Sequence, residues 1–397
     1  VNENLPPPAR APEPRSSAPR DAIMTVNRPL LCQFALAAAL LCWGLAPEEF
    51  RPEAAESLLL AGKNTADLDR MEAGYYEHLL DTGRRLDGET LVSSPPKPPP
   101  FKVTDLARPV DDFRECVLEP SFTTIFQQAR WTTNALGLRD REYEAQKPEG
   151  TYRAVLIGDS IGVGWGVHDG EGFEPRLEKA LDTQSSTVGG PRIEILNLCV
   201  PGYAPAQRRE HLERLGWSLD PDLVIVQATA ADLDWDEGRL RRLLSAGYGW
   251  EIPIYQDAIN AAGLKPGASS SSIKKGLEAQ QLRILSDVYR ALGSDCSRRG
   301  VPVVWILLPR VGRSVSATER QTLVDLAKAS GFDPVLDLSD AFDGLSPATL
   351  AIGPNDYHPN AQGHAILAQR LEDALANRPG APWTQPSRPG SAGGAAH

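Results

Sequence analysis

Ser160 stands just past an apolar run, Val155-Leu156-Ile157-Gly158-Asp159-Ser160, and His358 lies far downstream in Asn355-Asp356-Tyr357-His358-Pro359-Asn360. A serine hydroxyl is a weak nucleophile until a base takes its proton, and a histidine is suited to that task. Asp356, two residues before His358, is the carboxylate on this segment that can orient the ring. The elements holding these groups can be read from pattern. Residues 153–157 look like a buried parallel strand, and glycines 158, 162, 164 and 166 prevent an immediate long helix. Ser160 is therefore expected at a strand's carboxyl end, where open α/β sheets place their ligands. His358 is expected just before an amphipathic helix over residues 361–375.

Gly158-Asp159-Ser160, then Asn197-Leu198-Cys199-Val200-Pro201-Gly202-Tyr203, then His358-Pro359-Asn360 follow one another in order. Together they resemble the first, second and last sequence blocks of the SGNH (GDSL) hydrolases, over residues 133–376. Upstream, Asn134-Ala135-Leu136-Gly137-Leu138-Arg139-Asp140 is similar to the entry segment of bacterial secreted members. The resemblance implies a three-layer flavodoxin-like α/β fold with a five-stranded parallel sheet in the order 2-1-3-4-5. It also implies a serine hydrolase acting on ester bonds, with Ser160 attacking the carbonyl and His358 relaying its proton. Two positions depart from the family pattern. The usual acid lies three residues before the histidine, where this chain has Asn355; Asp356 is assigned the orienting role and Asn355 is the alternative. The oxyanion-hole donors implied are the backbone N–H groups of Ser160 and Gly202 and an asparagine side chain after the third strand. In Gln227-Ala228-Thr229-Ala230-Ala231-Asp232 that place belongs to Ala231, so the hole is degraded. Losing one such donor typically costs about 10²-fold to 10³-fold in turnover. Thr229, or a group from the long insertion, can refill it.

Other candidates have blander roles. Asp159 reads as a carboxylate bracing its own loop, and Asn197 and Asp337 as loop-pinning residues at strand ends. The Gly162-Val163-Gly164-Trp165-Gly166 run lacks the spacing of a dinucleotide loop. His364 reads as structural, and His78, His168 and His211 are isolated. No cluster has metal-ligand spacing, so neither metal nor cofactor is expected.

Apolar runs at residues 155–157, 193–198, 223–226, 301–308 and 335–338 read as five strands. Helical patterns at 173–181, 206–215, 277–292, 318–329 and 361–375 separate them, an alternation that makes a parallel sheet covered by helices on both sides. A long connection between the third and fourth strands carries an insertion, about 233–276, rich in aromatics and ending in a flexible run at 269–272. It can wall a substrate cleft or form a satellite core. Residues 101–150 read as an entry segment of short strands or a flap, within a catalytic domain spanning 101–377.

The ends differ from this domain. Residues 1–28 and 378–397 are rich in Pro, Arg, Ala, Gly and Ser and cannot offset their ordering entropy, so both read as disordered. Residues 29–46 contain an apolar run, 30–45, short for a bilayer span and long for a secretory signal core. Either role implies export to the cell envelope or periplasm, with membrane anchoring if the segment is not cleaved. Residues 47–100, ending in a proline run, read as a tether. Five cysteines in this arrangement read as small buried hydrophobes. A formal charge of −11 argues against nucleic-acid partners. Three functions fit: an esterase on a small-molecule or glycan ester, a non-catalytic glycan-binding domain, and an O-acyltransferase.

Overall fold

The computed structural model describes residues 101–354, 356–376, 378 and 380–386. The apolar run at 30–45, the tether, Cys32, Cys42, His78 and Asn355 lie outside the described residues. Among the described residues no helix is long and apolar enough to cross a membrane.

Five strands form one parallel sheet: β5 (Thr151–Ile157), β6 (Arg192–Asn197), β7 (Leu223–Ala228), β8 (Val303–Leu307) and β9 (Val335–Asp337), in the order β6-β5-β7-β8-β9. This is the 2-1-3-4-5 order expected. Strands β7 and β8 are buried throughout, which is why their sequences are unbroken apolar runs rather than alternations. The two-residue period still sorts their side chains. Ala154, Leu156, Leu223 and Ile225 face one core with helices α1 (Phe173–Thr187) and α9 (Ala361–Leu375). Val155, Ile157, Val224 and Val226 face the other with α6 (Gln281–Arg299) and α7 (Ala317–Ala329). Helix α2 (Pro205–Arg214) follows β6, with Pro at its first turn. Helix α7 starts at a capping box in which Ser316 and Glu319 satisfy each other's backbone donors. Cys116, Cys199 and Cys296 are free and buried.

The insertion is helical rather than a loop, and it forms a third core. Helices α3 (Asp232–Ser245), α4 (Gln256–Ala261) and α5 (Ser270–Glu278) pack Leu240, Leu244, Ile259, Ile273 and Leu277 against Ile284 and Val288 of α6. The expected flexible run at 269–272 instead begins α5, where Ser269 Oγ accepts the Ser272 N–H. The single helix expected over 277–292 is split between α5 and α6. The insertion's aromatics divide: Tyr255 is fully buried in the satellite core, whereas Tyr248 is 71% exposed.

The entry segment supplies two antiparallel hairpins, β1 (Ala107–Pro109) with β2 (Cys116–Leu118), and β3 (Thr123–Phe126) with β4 (Ala129–Thr132). At the other end the ordered core continues past residue 377. Trp383, expected in a disordered tail, is 4% exposed, edge-on to Tyr152, and its Nε1–H donates to the Leu375 carbonyl at 3.0 Å. One large indole buried against the sheet is enough to hold this turn.

Candidate active site

The loop after β5 is drawn tightly under Ser160. A side chain at Gly158 or Gly162 would collide with Gln227 and Cys199, so only glycine permits this approach. Gln227 Oε1 accepts the Asp159 N–H at 2.8 Å, fixing the loop to the end of β7. Asp159 Oδ1 accepts the Ile161 N–H at 2.8 Å, so Asp159 braces its own turn as expected. Asn197 does the same for the next loop, accepting the Cys199 N–H and donating to the Gly162 carbonyl.

Beneath the loop lies a buried ion network. Arg208, from α2, places all five donor positions: Nε on the Tyr203 carbonyl, Nη1 on the Gln227 carbonyl and Asp232 Oδ2, and Nη2 on Asp159 Oδ2 and Asp232 Oδ1, all within 2.8–3.2 Å. Tyr289 Oη donates to Asp232 at 3.1 Å. One cation thus ties together the nucleophile loop, the second-block loop and the start of α3.

His358 arrives on the segment before α9. Asn360 caps that helix, its side chain accepting the Gln362 and Gly363 N–H groups, and the Ile352 N–H donates to the His358 carbonyl. The result is a linear relay. His358 Nε2 is 2.7 Å from Ser160 Oγ, and His358 Nδ1 is 2.7 Å from Asp356 Oδ1, which also accepts the His358 backbone N–H at 2.8 Å. Burial works against the charge on Asp356, but the hydrogen bond and charge of His358 outweigh it and hold the carboxyl below its ordinary value. Ser160 and His358 are only 3% and 2% exposed.

Gly202 has φ +76°, in the left-handed region that favours glycine. Among the described residues, neither its N–H nor that of Ser160 donates to another protein group. Ala231, 5% exposed, sits at the start of α3, and its methyl side chain offers no donor. Thr229 Oγ1 is buried and hydrogen-bonds to no protein atom. Thr229 follows the last residue of β7, the strand that pairs with β5.

The other histidines among the described residues have structural partners. His364 Nδ1 accepts the Phe173 N–H, and His168 Nδ1 accepts the Arg130 N–H. Arg114 donates to His211 Nδ1, and burial, with Arg114 beside it, pushes His211 down to about 3. Asp337 accepts from the Ser339 N–H and hydroxyl. No group of three or more His, Cys, Asp or Glu among the described residues is arranged for a metal ion. A separate cleft of ≈970 Å³, lined by residues including Asp111, Phe113, Arg209, Trp250 and Glu251, contains none of the relay residues.

Arg208, Gln227 and Trp165 escape the sequence analysis. Arg208 lies in a charged helical stretch and looks like surface charge; only folding brings Asp159 and Asp232 to it.

A doubly covered parallel sheet with a serine, histidine and aspartate in line at its carboxyl edge is the arrangement of the SGNH hydrolases. A family model for the GDSL-like lipase/acylhydrolase family matches residues 156–366, more than half of the chain, and the chain belongs to that family. Membership supports hydrolase activity on ester bonds. Among solved structures, the chain is similar to the psychrotrophic esterase EstA from Pseudoalteromonas sp., at 12% identity over 56% of this chain and 96% of that one, with a TM-score of 0.36. It is also similar to Axe2, an acetylxylan esterase from Geobacillus stearothermophilus, at 14% identity over 59% and 96%, with a TM-score of 0.38. No curated protein matches the chain.

Proposed function

We propose that this chain is a serine esterase that works through an acyl-enzyme on Ser160. The observation carrying this is the relay from Ser160 Oγ through both ring nitrogens of His358 to Asp356, with 2.7 Å at each step. In the forward step Nε2 takes the hydroxyl proton as Oγ bonds to the ester carbonyl carbon. The imidazolium then returns that proton to the leaving alcohol, and water repeats the cycle to free the acid. Asp356 fixes the tautomer with Nδ1–H and offsets the charge that forms on the ring. The free N–H groups of Ser160 and Gly202, with the unpartnered Thr229 hydroxyl just after β7, would bind the developing oxyanion in place of the amide missing at Ala231.

The substrate class is an acylated carbohydrate or other small ester, and the location the cell envelope, reached through the apolar segment at 30–45. Support for export is the sequence of that segment and the entry-segment resemblance. The test is hydrolysis of a short activated ester by the purified full chain and by Ser160→Ala. Loss of turnover in the variant supports the esterase; equal rates, with no labelling of the wild type by a fluorophosphonate, would favour a glycan-binding domain that has lost its chemistry.

A further inference from the structure

The Gly162–Gly166 run acquires a purpose from the residue in its middle. Trp165 stacks on the His358 ring, centroids 5.4 Å apart and planes 25° from parallel, and the indole is 2% exposed. Tyr357 lies against the same imidazole at 4.3 Å and 30°.

The indole is held on every side. Its N–H on the main chain donates to the Ser160 carbonyl at 2.9 Å, so nucleophile and stacking residue share one turn. Glycines 164 and 166, at φ +79° and +75°, give the loop a path closed to most L-residues. Arg139 donates to the carbonyls of Val163, Gly164 and Val167 and to that of Arg130 on β4, clamping the loop to the entry hairpin. Phe101, Phe126 and Trp131 pack around the indole, Phe126 edge-on at 5.0 Å and Trp131 at 6.5 Å and 88°.

Resting on the esterase reading above, we infer that Trp165 is a positioning residue for the catalytic base: its face fixes the plane of the His358 ring and stabilises the imidazolium formed when Ser160 gives up its proton. A cation within about 6 Å of an indole face is attracted by the ring quadrupole, and more strongly when water is excluded. Tyr357 gives the ring a second aromatic contact, but Trp165 alone of the two is tied to the nucleophile by its main-chain hydrogen bond to the Ser160 carbonyl. Asp356 acts in the ring plane through Nδ1. Arg310 lies over Tyr357, 5.2 Å from its ring centre, and disfavours a second positive charge. His364 faces the site from α9, but burial first, with Arg139 and His358 itself, pushes it down to about 3, so it stays neutral.

The experiment is the pH profile of kcat/KM for the full chain, together with an NMR titration of the His358 imidazole, for wild type, Trp165→Phe, Trp165→Leu and Trp131→Leu. Removing the indole face makes the imidazolium less stable, so His358 stays neutral to lower pH and the acid limb moves down. Trp165→Leu is expected to move it by roughly 0.5–1 pH unit, with Trp165→Phe between it and wild type. Trp131→Leu loosens the same aromatic cluster without touching His358 and should leave the limb in place. Equal shifts in Trp165→Leu and Trp131→Leu, or none in either, would overturn the inference. Should Trp165→Leu not fold, replacing all eight tryptophans by fluorotryptophan weakens the face at nearly constant shape; a downward limb shift supports the inference and an unmoved limb overturns it. The titration reads the stacking without turnover. A shift in a chain that neither hydrolyses esters nor labels would leave the stacking intact and remove the esterase.

Discussion

At the scale of single residues the account rests on a division of labour around one imidazole. Ser160 and His358 act as a unit, so Ser160→Ala and His358→Ala should each abolish ester turnover to a similar extent, and the double variant should lose little more. Asp356→Asn keeps the shape but permits the wrong tautomer; turnover should fall by about 10⁴-fold with the melting temperature nearly unchanged. The proposed mechanism gives the third oxyanion donor's place to Thr229, since Ala231 has no amide side chain. Thr229→Val, near in volume, should lower kcat by about 10²-fold with KM little altered, since the lost bond forms only in the transition state. An unchanged kcat would return the role to another group. Ser160 and His358 were legible because motif blocks and chain order marked them, and Asp356 because it is the carboxylate on the histidine's own segment, although the family pattern points to Asn355. Trp165 was not, because stacking on a ring nearly 200 residues away leaves no local signal.

At the scale of elements, the sheet was legible and the insertion was not, for opposite reasons. Buried parallel strands such as β7 are continuous apolar runs. Helix α3 instead buries Asp232, Asp236 and Arg239 on its inner face, so hydrophobic periodicity misses it and a loop is inferred. Those charges are useful where they lie: Asp232 with Asp159 surrounds Arg208. Arg208→Met would leave two carboxylates buried without their cation and should destabilise the fold by about 3–5 kcal/mol, read by urea unfolding. A second polar cluster lies behind β6. Burial, with Glu178 nearby, pushes Asp140 up to about 8, although it accepts the Asn197 N–H at 3.0 Å. A carboxyl with a raised folded value holds its proton better folded than unfolded. That contribution is full below about pH 4, its ordinary range, and is lost as pH rises through about 8. Asp140→Asn keeps an accepting oxygen and cannot ionise, so it should raise the melting temperature more at pH 8 than at pH 5. An equal or smaller gain at pH 8 would mean that Asp140 ionises freely in the folded protein.

At the scale of the molecule, the chain places its chemistry under cover. The β3–β4 hairpin packs on Trp165, that indole stacks on His358, and the serine and histidine are almost fully buried. Burial strengthens each charge interaction in the relay and in the imidazole stack. The extension of the core beyond residue 377 was not legible, because the single Trp383 that carries it is outweighed by its Pro, Gly and Ser neighbours. Export is tested with a reporter active only outside the cytoplasm; fused after residue 60 it should be active, and fused after residue 28 inactive, if the apolar segment at 30–45 directs translocation. The central claim, that His358 and Asp356 activate Ser160 in the folded chain, is tested most directly by fluorophosphonate labelling of the full chain with the modified peptide mapped by mass spectrometry. A single adduct on Ser160 is expected, lost in His358→Ala and slowed in Asp356→Asn. An unlabelled wild type, or an adduct on another serine that persists in His358→Ala, would contradict it.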